Sequence, residues 1–352
     1  MADRVLVAMS GGIDSAVAAL LLRRAGHDIT GVFMRNGVHV EESTQKSCCS
    51  VADAYDARRI ADRLGFAFYA VNFAEGFEGI IRNFVDEYNA GRTPNPCVLC
   101  NRDLKFGRLL QFADRLGIPS IATGHYARLE PRSGRTALLR ARDERKDQTY
   151  MLFALSQAQL LRTRFPLGGL EKPEVRAIAR EAGLSIADKP ESQEICFVPN
   201  GDYRELLRAR APEAFGAGQF RTLDGAVIGS HGGHQNFTVG QRRGLGVASG
   251  RRMYVVRIEP ETNTVVLGDE DELGRREMTV ARVNWVSIET PAQPIAARVR
   301  IRHGHTPVPA RIASEAGGRA RVTFDVPQKI VTPGQAAVFY DEDLVLGGGW
   351  IE

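Results

Sequence analysis

Apolar residues in the first half of the chain fall into short runs separated by longer stretches in which they recur at helical spacing. Val5-Leu6-Val7-Ala8-Met9 and residues 29–34, 67–71 and 120–123 read as strands, with Val51–Leu64 and residues 76–88 as helices between them. Strand and helix alternating in this way predict a parallel α/β sheet up to about residue 200. Residues 155–164 and 172–182 read as two further helices, the second stopping at Gly183. From about residue 217 the pattern changes. Residues 218–228, 253–258, 264–267, 278–286, 296–301, 319–324 and 336–340 are short alternating or β-branched runs divided by Gly, Pro, Asn and Asp. Glu259-Pro260-Glu261-Thr262-Asn263 reads as a hairpin turn. The expected fold class is α/β: a Rossmann-like parallel sheet over 1–205, a small mostly-β linking domain over 206–274 and a C-terminal β-barrel-like domain over 275–352. At 352 residues the chain is long enough for two or three such cores.

The sharpest junction is Ser10-Gly11-Gly12-Ile13-Asp14-Ser15, a polar glycine turn between the first strand and the helical run 16–22. Two glycines let the backbone present its N–H groups, and the following helix adds its positive end, which suits a phosphate. Ser10 and Ser15 add hydroxyls, and Asp14 is a candidate ligand for Mg²⁺. No Gly-Lys-Ser/Thr follows, and the third glycine of a dinucleotide fingerprint is missing. An ordinary glycine turn is the bland alternative; the segment also resembles the PP-loop of ATP pyrophosphatases, which cleave ATP between its α and β phosphates. In a parallel sheet, ligands sit at the carboxyl ends of strands, so the turns after Met9, Met34 and Thr123 are expected to line one site.

Composition narrows the setting. A hydrophobic content of 43% with 25% charged residues is that of an ordinary globular protein, and a net charge of +4 is compatible with a polyanionic partner without demanding one. Five cysteines in a long chain point to thiol chemistry or metal binding under reducing conditions rather than to a disulfide framework. The apolar start is broken by Asp14 and the glycine pair, and no run is long and apolar enough to span a membrane, so a cytoplasmic location is expected.

Thr93-Pro94-Asn95-Pro96-Cys97-Val98-Leu99-Cys100-Asn101 holds a Cys-x-x-Cys pair stiffened by two prolines, a spacing that serves a metal, a cluster or a resolving thiol. Cys196 follows the segment Asp188-Lys189-Pro190-Glu191-Ser192, while Cys48 and Cys49 read as small core residues. No second pair at metal-ligand spacing supports a zinc ribbon. Two basic groups stand out, Arg242, Arg243, Arg251 and Arg252, and Arg298, Arg300, Arg302, His303 and His305. Each is either a set of phosphate contacts or a solvated strand face.

These segments, with Gly31-Val32-Phe33-Met34, Gly124-His125-Tyr126, Lys146-Asp147-Gln148, Thr238-Val239-Gly240-Gln241-Arg242-Arg243-Gly244-Leu245-Gly246 and Thr332-Pro333-Gly334-Gln335-Ala336, resemble in order those of the tRNA-specific 2-thiouridylases, the MnmA/TrmU family. The resemblance implies ATP-dependent conversion of the wobble uridine of tRNA to 2-thiouridine. It places ATP on Ala8, Met9, Ser10, Gly11, Gly12, Ile13, Asp14, Ser15, Met34 and Gly124. It names Cys100 as nucleophile and Cys196 as persulfide carrier, with a Cys100–Cys196 disulfide left for reduction. It assigns tRNA contact to Asn95, Pro96, Cys97, His125, Lys146, Asp147, Gln148, Arg302, His303 and Gln335. Family members that use a persulfide often carry Asp where this chain has Cys97. An iron–sulfur cluster on Cys97, Cys100 and Cys196 therefore stands as the alternative sulfur carrier. The expected partners are tRNA and a sulfur-donor protein or inorganic sulfide. The rival readings are a PP-loop synthetase that amidates an adenylated metabolite and a noncatalytic RNA-binding protein.

Overall fold

The computed structural model describes residues 3–37, 51–189, 195–198, 201–248 and 250–352; Cys48, Cys49 and residues 190–194 lie outside these. Strands β1 (Arg4–Met9), β2 (Asp28–Arg35), β3 (Ala67–Asn72) and β4 (Ser120–Ala122) form where the apolar runs predict them. With a two-residue strand β7 (Thr163–Arg164) they make an all-parallel sheet in the order β3-β2-β1-β4-β7. The chain runs outward from β1 to β3 and then crosses back to β4, so the sheet's switch point lies between the ends of β1 and β4. Helix α1 (Ile13–Arg24) is almost wholly buried, and its alanines at 16, 18 and 19 allow it to share a core with α2 (Val51–Leu64) and α7 (Lys172–Glu181).

Two expectations need correction, and one element was not foreseen. Residues 155–164 do not form one helix: a Ser156/Gln159 capping box starts the short α6 (Gln157–Leu161), and the chain then leaves it so that Thr163 pairs beside Ile121 of β4. Residues 218–228 are two antiparallel strands, β8 (Gly218–Thr222) and β9 (Val227–His231), because Asp224-Gly225 turns the chain between them. After α3 (Ala74–Asn89), α4 (Pro96–Leu99) runs into a nine-residue π-helix, Cys100–Arg108, and then α5 (Leu109–Arg115), a widening that no periodicity announced.

Helix α8 (Tyr203–Arg210) leads to the middle unit, where β10 (Tyr254–Glu259) and β11 (Thr264–Gly268) join β8 and β9 in the order β10-β11-β8-β9. The predicted turn between β10 and β11 is present, with Asn263 in the left-handed region at φ 48°. The barrel strands are β12 (Arg275–Asn284), β13 (Ile295–Arg300), β14 (Val308–Glu315), β15 (Arg319–Gln328), β16 (Ala336–Asp341) and β17 (Leu344–Ile351). They run in the order β12-β15-β14-β13-β16-β17 and close by pairing β12 with β17. An unpredicted hairpin, β5 (Ala127–Arg132) and β6 (Arg135–Arg140), leaves the parallel-sheet unit and attaches to β17 through Leu139 and Leu344.

Candidate active site

The turn after β1 has a geometry that suits an oxyanion. Gly11 has φ 71°, and a Cβ there would run into the Asp53 carbonyl of α2, so the position requires glycine. Ser15 Oγ donates to the Gly12 carbonyl at 3.0 Å and accepts from the Ser10 amide at 3.1 Å, which sets the turn's shape. No side chain caps α1, leaving its first N–H groups for a ligand. Ser10 is exposed, whereas Met9, Ile13 and Ser15 are buried and Ala8 and Gly12 half-buried. Gly124, just past β4, lies so close that a Cβ would sit 2.7 Å from the Ser15 nitrogen. β1, β4 and α1 thus converge on one crevice.

Two lysines that the sequence did not single out enclose this turn. Lys172 Nζ, at the buried start of α7, lies 2.7 and 2.8 Å from the two oxygens of Asp14, which also accepts from Tyr126 Oη at 2.8 Å. Lys189 Nζ donates to the Gly11 carbonyl at 3.0 Å and to Asp53 and Asp56 at 2.7 Å each. Burial opposes the Lys189 charge, but the two carboxylates outweigh it and raise its pKa. Among the described residues no three His, Cys, Asp or Glu side chains are grouped to hold a metal. Mg²⁺ carried with ATP takes most of its ligands from phosphates and water, so Asp14 alone fits it. Cys97, Cys100 and Cys196 are not grouped as the ligands of an iron–sulfur cluster; Cys97 is exposed on α4, while Cys100 and Cys196 pack against a hydrophobic cluster.

That cluster gathers Cys100 and Cys196 with Met34 from the end of β2. Phe77, Phe84, Leu104, Phe197 and Leu207 form its buried part, and Met34 at the end of β2, Cys100 and Cys196 all pack on it. Both thiols are half-buried. The segment before Cys97 is strapped from two sides. Gln335 Nε2 donates to the carbonyls of Thr93 at 3.0 Å and Pro94 at 3.2 Å, and Thr93 Oγ1 lies 3.5 Å from Thr238 Oγ1 of the middle unit. Asn95 is buried and hydrogen-bonds Tyr150, whose ring stands 6.1 Å from that of His303 and 5.4 Å from the Arg300 guanidinium. Asn95, Pro96, Gln335 and His303 therefore gather around one junction. Arg302 is half-buried beside it.

Other expected contact residues sit deeper. His125 is enclosed between Phe106 and Phe165 with Nδ1 2.7 Å from Thr123 Oγ1, and burial, with Lys105 nearby, holds its pKa well below the usual value. Asp147 has no exposed side-chain surface: it accepts from Thr149 and the Ala141 amide and lies 3.6 Å from Arg300 and 3.9 Å from Arg140. Gln148 exchanges hydrogen bonds with the Tyr126 backbone, and it and Lys146 are both half-buried.

A parallel sheet that opens at its switch point on a glycine turn, with two β units behind it, defines a nucleotide-binding α/β enzyme of the HUP type. The family models agree in order: a tRNA methyl transferase HUP domain matches residues 3–200, a tRNA methyl transferase PRC-barrel domain 204–269, and an aminomethyltransferase β-barrel domain 275–351. The chain belongs to the tRNA-specific 2-thiouridylase family. It is 50% identical over 366 residues to tRNA-specific 2-thiouridylase MnmA of Solibacter usitatus (strain Ellin6076), covering 99% of each chain. It is 47% identical to the relative of the same name from Koribacter versatilis (strain Ellin345), again over 99% of each. Against that of Geobacter metallireducens (strain ATCC 53774 / DSM 7210 / GS-15) it is 48% identical over 99% of this chain and 96% of the relative.

Proposed function

We propose that the chain is an ATP-dependent tRNA uridine 2-sulfurtransferase, with its catalytic unit over 1–205, a central domain over 206–274 and the barrel over 275–352. The observation that carries the reading is the packing of Cys100 and Cys196, distant in sequence, on one cluster with Met34 beside the phosphate cradle. The uracil 2-oxygen is a poor leaving group. It attacks the α-phosphorus of ATP, and pyrophosphate departs into the turn at Gly11 and Gly12, where backbone N–H groups and the end of α1 stabilise its charge. Asp14 would hold the Mg²⁺ that accompanies ATP, which would supply charge neutralisation at the leaving phosphates. Gly124 and Met34 flank the adenosine.

Sulfur enters as a persulfide on Cys196, either by transfer of the outer sulfur of a donor protein's persulfide to the Cys196 thiolate, which frees the donor thiol, or by hydrosulfide attacking Cys196 in the Cys100–Cys196 disulfide, which frees the Cys100 thiolate. Its terminal sulfur attacks C2, the adduct collapses and AMP leaves with the former 2-oxygen. The Cys100 thiolate then attacks the Cys196 sulfur, frees the 2-thiouridine and leaves a Cys100–Cys196 disulfide, which an external thiol reduces. Alternatively, Cys100 attacks first and releases hydrosulfide, which attacks C2; the disulfide formed is the same. Asn95, Pro96 and Cys97 meet the flipped base, and Lys146, Arg302 and His303 face the tRNA. Among the described residues no helix is long and apolar enough to cross a membrane, in keeping with a cytoplasmic setting.

The test combines purified protein, ATP, Mg²⁺, unmodified tRNA and a defined sulfur source. Expected products are 2-thiouridine, AMP and pyrophosphate in equal amounts, with pyrophosphate release dependent on tRNA. Cys100→Ser and Cys196→Ser each abolish thiolation while leaving tRNA affinity nearly intact. Thiolation at wild-type rates in either variant refutes the roles assigned.

A further inference from the structure

The motif Thr238-Val239-Gly240-Gln241-Arg242-Arg243-Gly244-Leu245-Gly246 has no part in the chemistry above. It forms one limb of a loop on the middle unit, and the chain returns along Arg251 and Arg252 to β10. Between the limbs lies a cavity of about 380 Å³, walled by Arg242, Gly244, Gly246, Arg251 and Arg252, with no carboxylate in its lining among the described residues. The second basic cavity, about 450 Å³ on the barrel, differs in that Glu144 and Glu342 stand among its arginines.

Four arginines are exposed here, and their partners differ. Arg251 is fixed to Asp269 at 2.7 Å and forms a rigid wall. Arg242 and Arg243 form no ion pair among the described residues, whereas Arg257 of the same unit pairs with Glu259 at 2.6 Å. Like charges held together cost free energy unless an anion joins them. Gly244 and Gly246 take positive φ, 73° and 71°, although a Cβ at Gly246 would meet nothing within 4 Å. Packing does not demand glycine there. Bare backbone in the left-handed region instead leaves N–H groups open to a bound oxyanion.

The loop's position supplies the ligand. Its first residue, Thr238, touches Thr93, which leads directly into Asn95, Pro96 and Cys97. Gly240 is wedged against Ile330 of the barrel, so the loop is held on the side where all three units meet. A strand whose base enters beside Cys97 has phosphodiesters on each side of that base, within reach of this junction.

We propose that the cavity between Arg242 and Arg252 binds backbone phosphates of the same RNA strand whose uridine is thiolated. This rests on the tRNA substrate argued above. The arginines set register along the strand and carry no base preference.

The test measures binding of unmodified tRNA across about 50 to 200 mM salt for wild type, Arg242→Gln/Arg252→Gln and Arg257→Gln. The double variant is expected to lose about tenfold in affinity and to reduce the slope of log affinity against log salt by about 0.7 to 0.9 per arginine removed, equally for several tRNA sequences. Arg257→Gln, on β10 of the same unit but outside the cavity lining, is expected to keep the wild-type slope. A double variant with wild-type slope and affinity overturns the phosphate site alone. Absence of tRNA binding by the wild type overturns both the site and the activity on which it rests.

Discussion

Burial sets the charge of the histidines and gives the protein a pH signature. His125, His231, His303 and His305 all have lowered pKa values, in each case chiefly because burial disfavours the imidazolium; Arg300 adds to this at His303, and Arg302 and Arg300 at His305. In the unfolded chain a histidine takes up its proton near pH 6.5, about where model peptides do. As pH falls through that value the unfolded state binds more protons than the native one, so stability is lost on acidification and is fully present above it. The melting temperature is expected to be flat from about pH 8 to 7 and to fall below about 6.5. His125→Gln, which keeps a polar partner for Thr123, is expected to flatten part of that fall. A melting temperature that rises on acidification contradicts the assignment. The same local physics explains what was legible at single positions. The turn at Ser10 to Ser15 was legible because a glycine pair between an apolar strand and an alanine-rich helix breaks both periodicities. Asp147 reads as a surface charge, and its enclosure by Arg140 and by Arg300 of a distant strand is a tertiary fact. Lys172 and Lys189 escaped notice because their partners, Asp14, Asp53 and Asp56, are remote in sequence.

Among the elements, the π-helix Cys100–Arg108 is the one whose geometry bears on the chemistry. Its wider turn displaces carbonyls from ordinary helical bonding, and Gln159 Nε2 captures two of them, Arg102 at 2.8 Å and Phe106 at 2.9 Å. Gln159 Oε1 meanwhile accepts from the Ser156 amide as half of the α6 capping box. Gln159→Glu separates the two functions, because a carboxylate still accepts from Ser156 but cannot donate to the carbonyls. The variant is expected to lose about 2 kcal/mol of stability in urea unfolding and to thiolate more slowly at unchanged ATP affinity, since Cys100 opens this helix. An unchanged thiolation rate refutes the coupling. The strands were the readable elements, since β-branched runs bounded by glycine and proline admit few alternatives. Those missed have weak local signals: β17 contains Gly347, Gly348 and Gly349, and β5 carries Pro131 and few apolar residues. β17 is a strand because both barrel neighbours pair with it, and its glycines let Phe153 and the Ala281 and Asn284 carbonyls approach.

Over the whole molecule, the order of units along the chain was legible and their joining was not. The core beneath the sheet is shared: Leu6, Val32, Phe106, Ile121 and Leu152 pack in one cluster with Val286, Val338, Tyr340, Val345 and Trp350 of the barrel. Burying those five barrel side chains contributes roughly 1.5–3 kcal/mol each, on the order of 10 kcal/mol together and so comparable to the whole net stability of a typical domain. Tyr150 Oη donating to the Ala336 carbonyl at 2.9 Å and the β6–β17 pairing add directional links across the same boundary. Neither part can therefore unfold without exposing the other's apolar face, and catalytic unit and barrel are expected to unfold together. The chain carries its own reporters, because its two tryptophans, Trp285 and Trp350, both belong to the barrel segment, whereas ATP binding, proposed above at the turn after β1, reports on the parallel-sheet unit. In urea, tryptophan fluorescence and ATP binding are expected to be lost with the same midpoint and the same steepness, the criterion for one cooperative unit. A chain ending at Gly274 is expected to aggregate, since its sheet would present the uncovered half of that core. Fluorescence lost at a urea concentration where ATP still binds would show instead that the barrel melts alone, and that the shared cluster contributes far less than its buried surface implies.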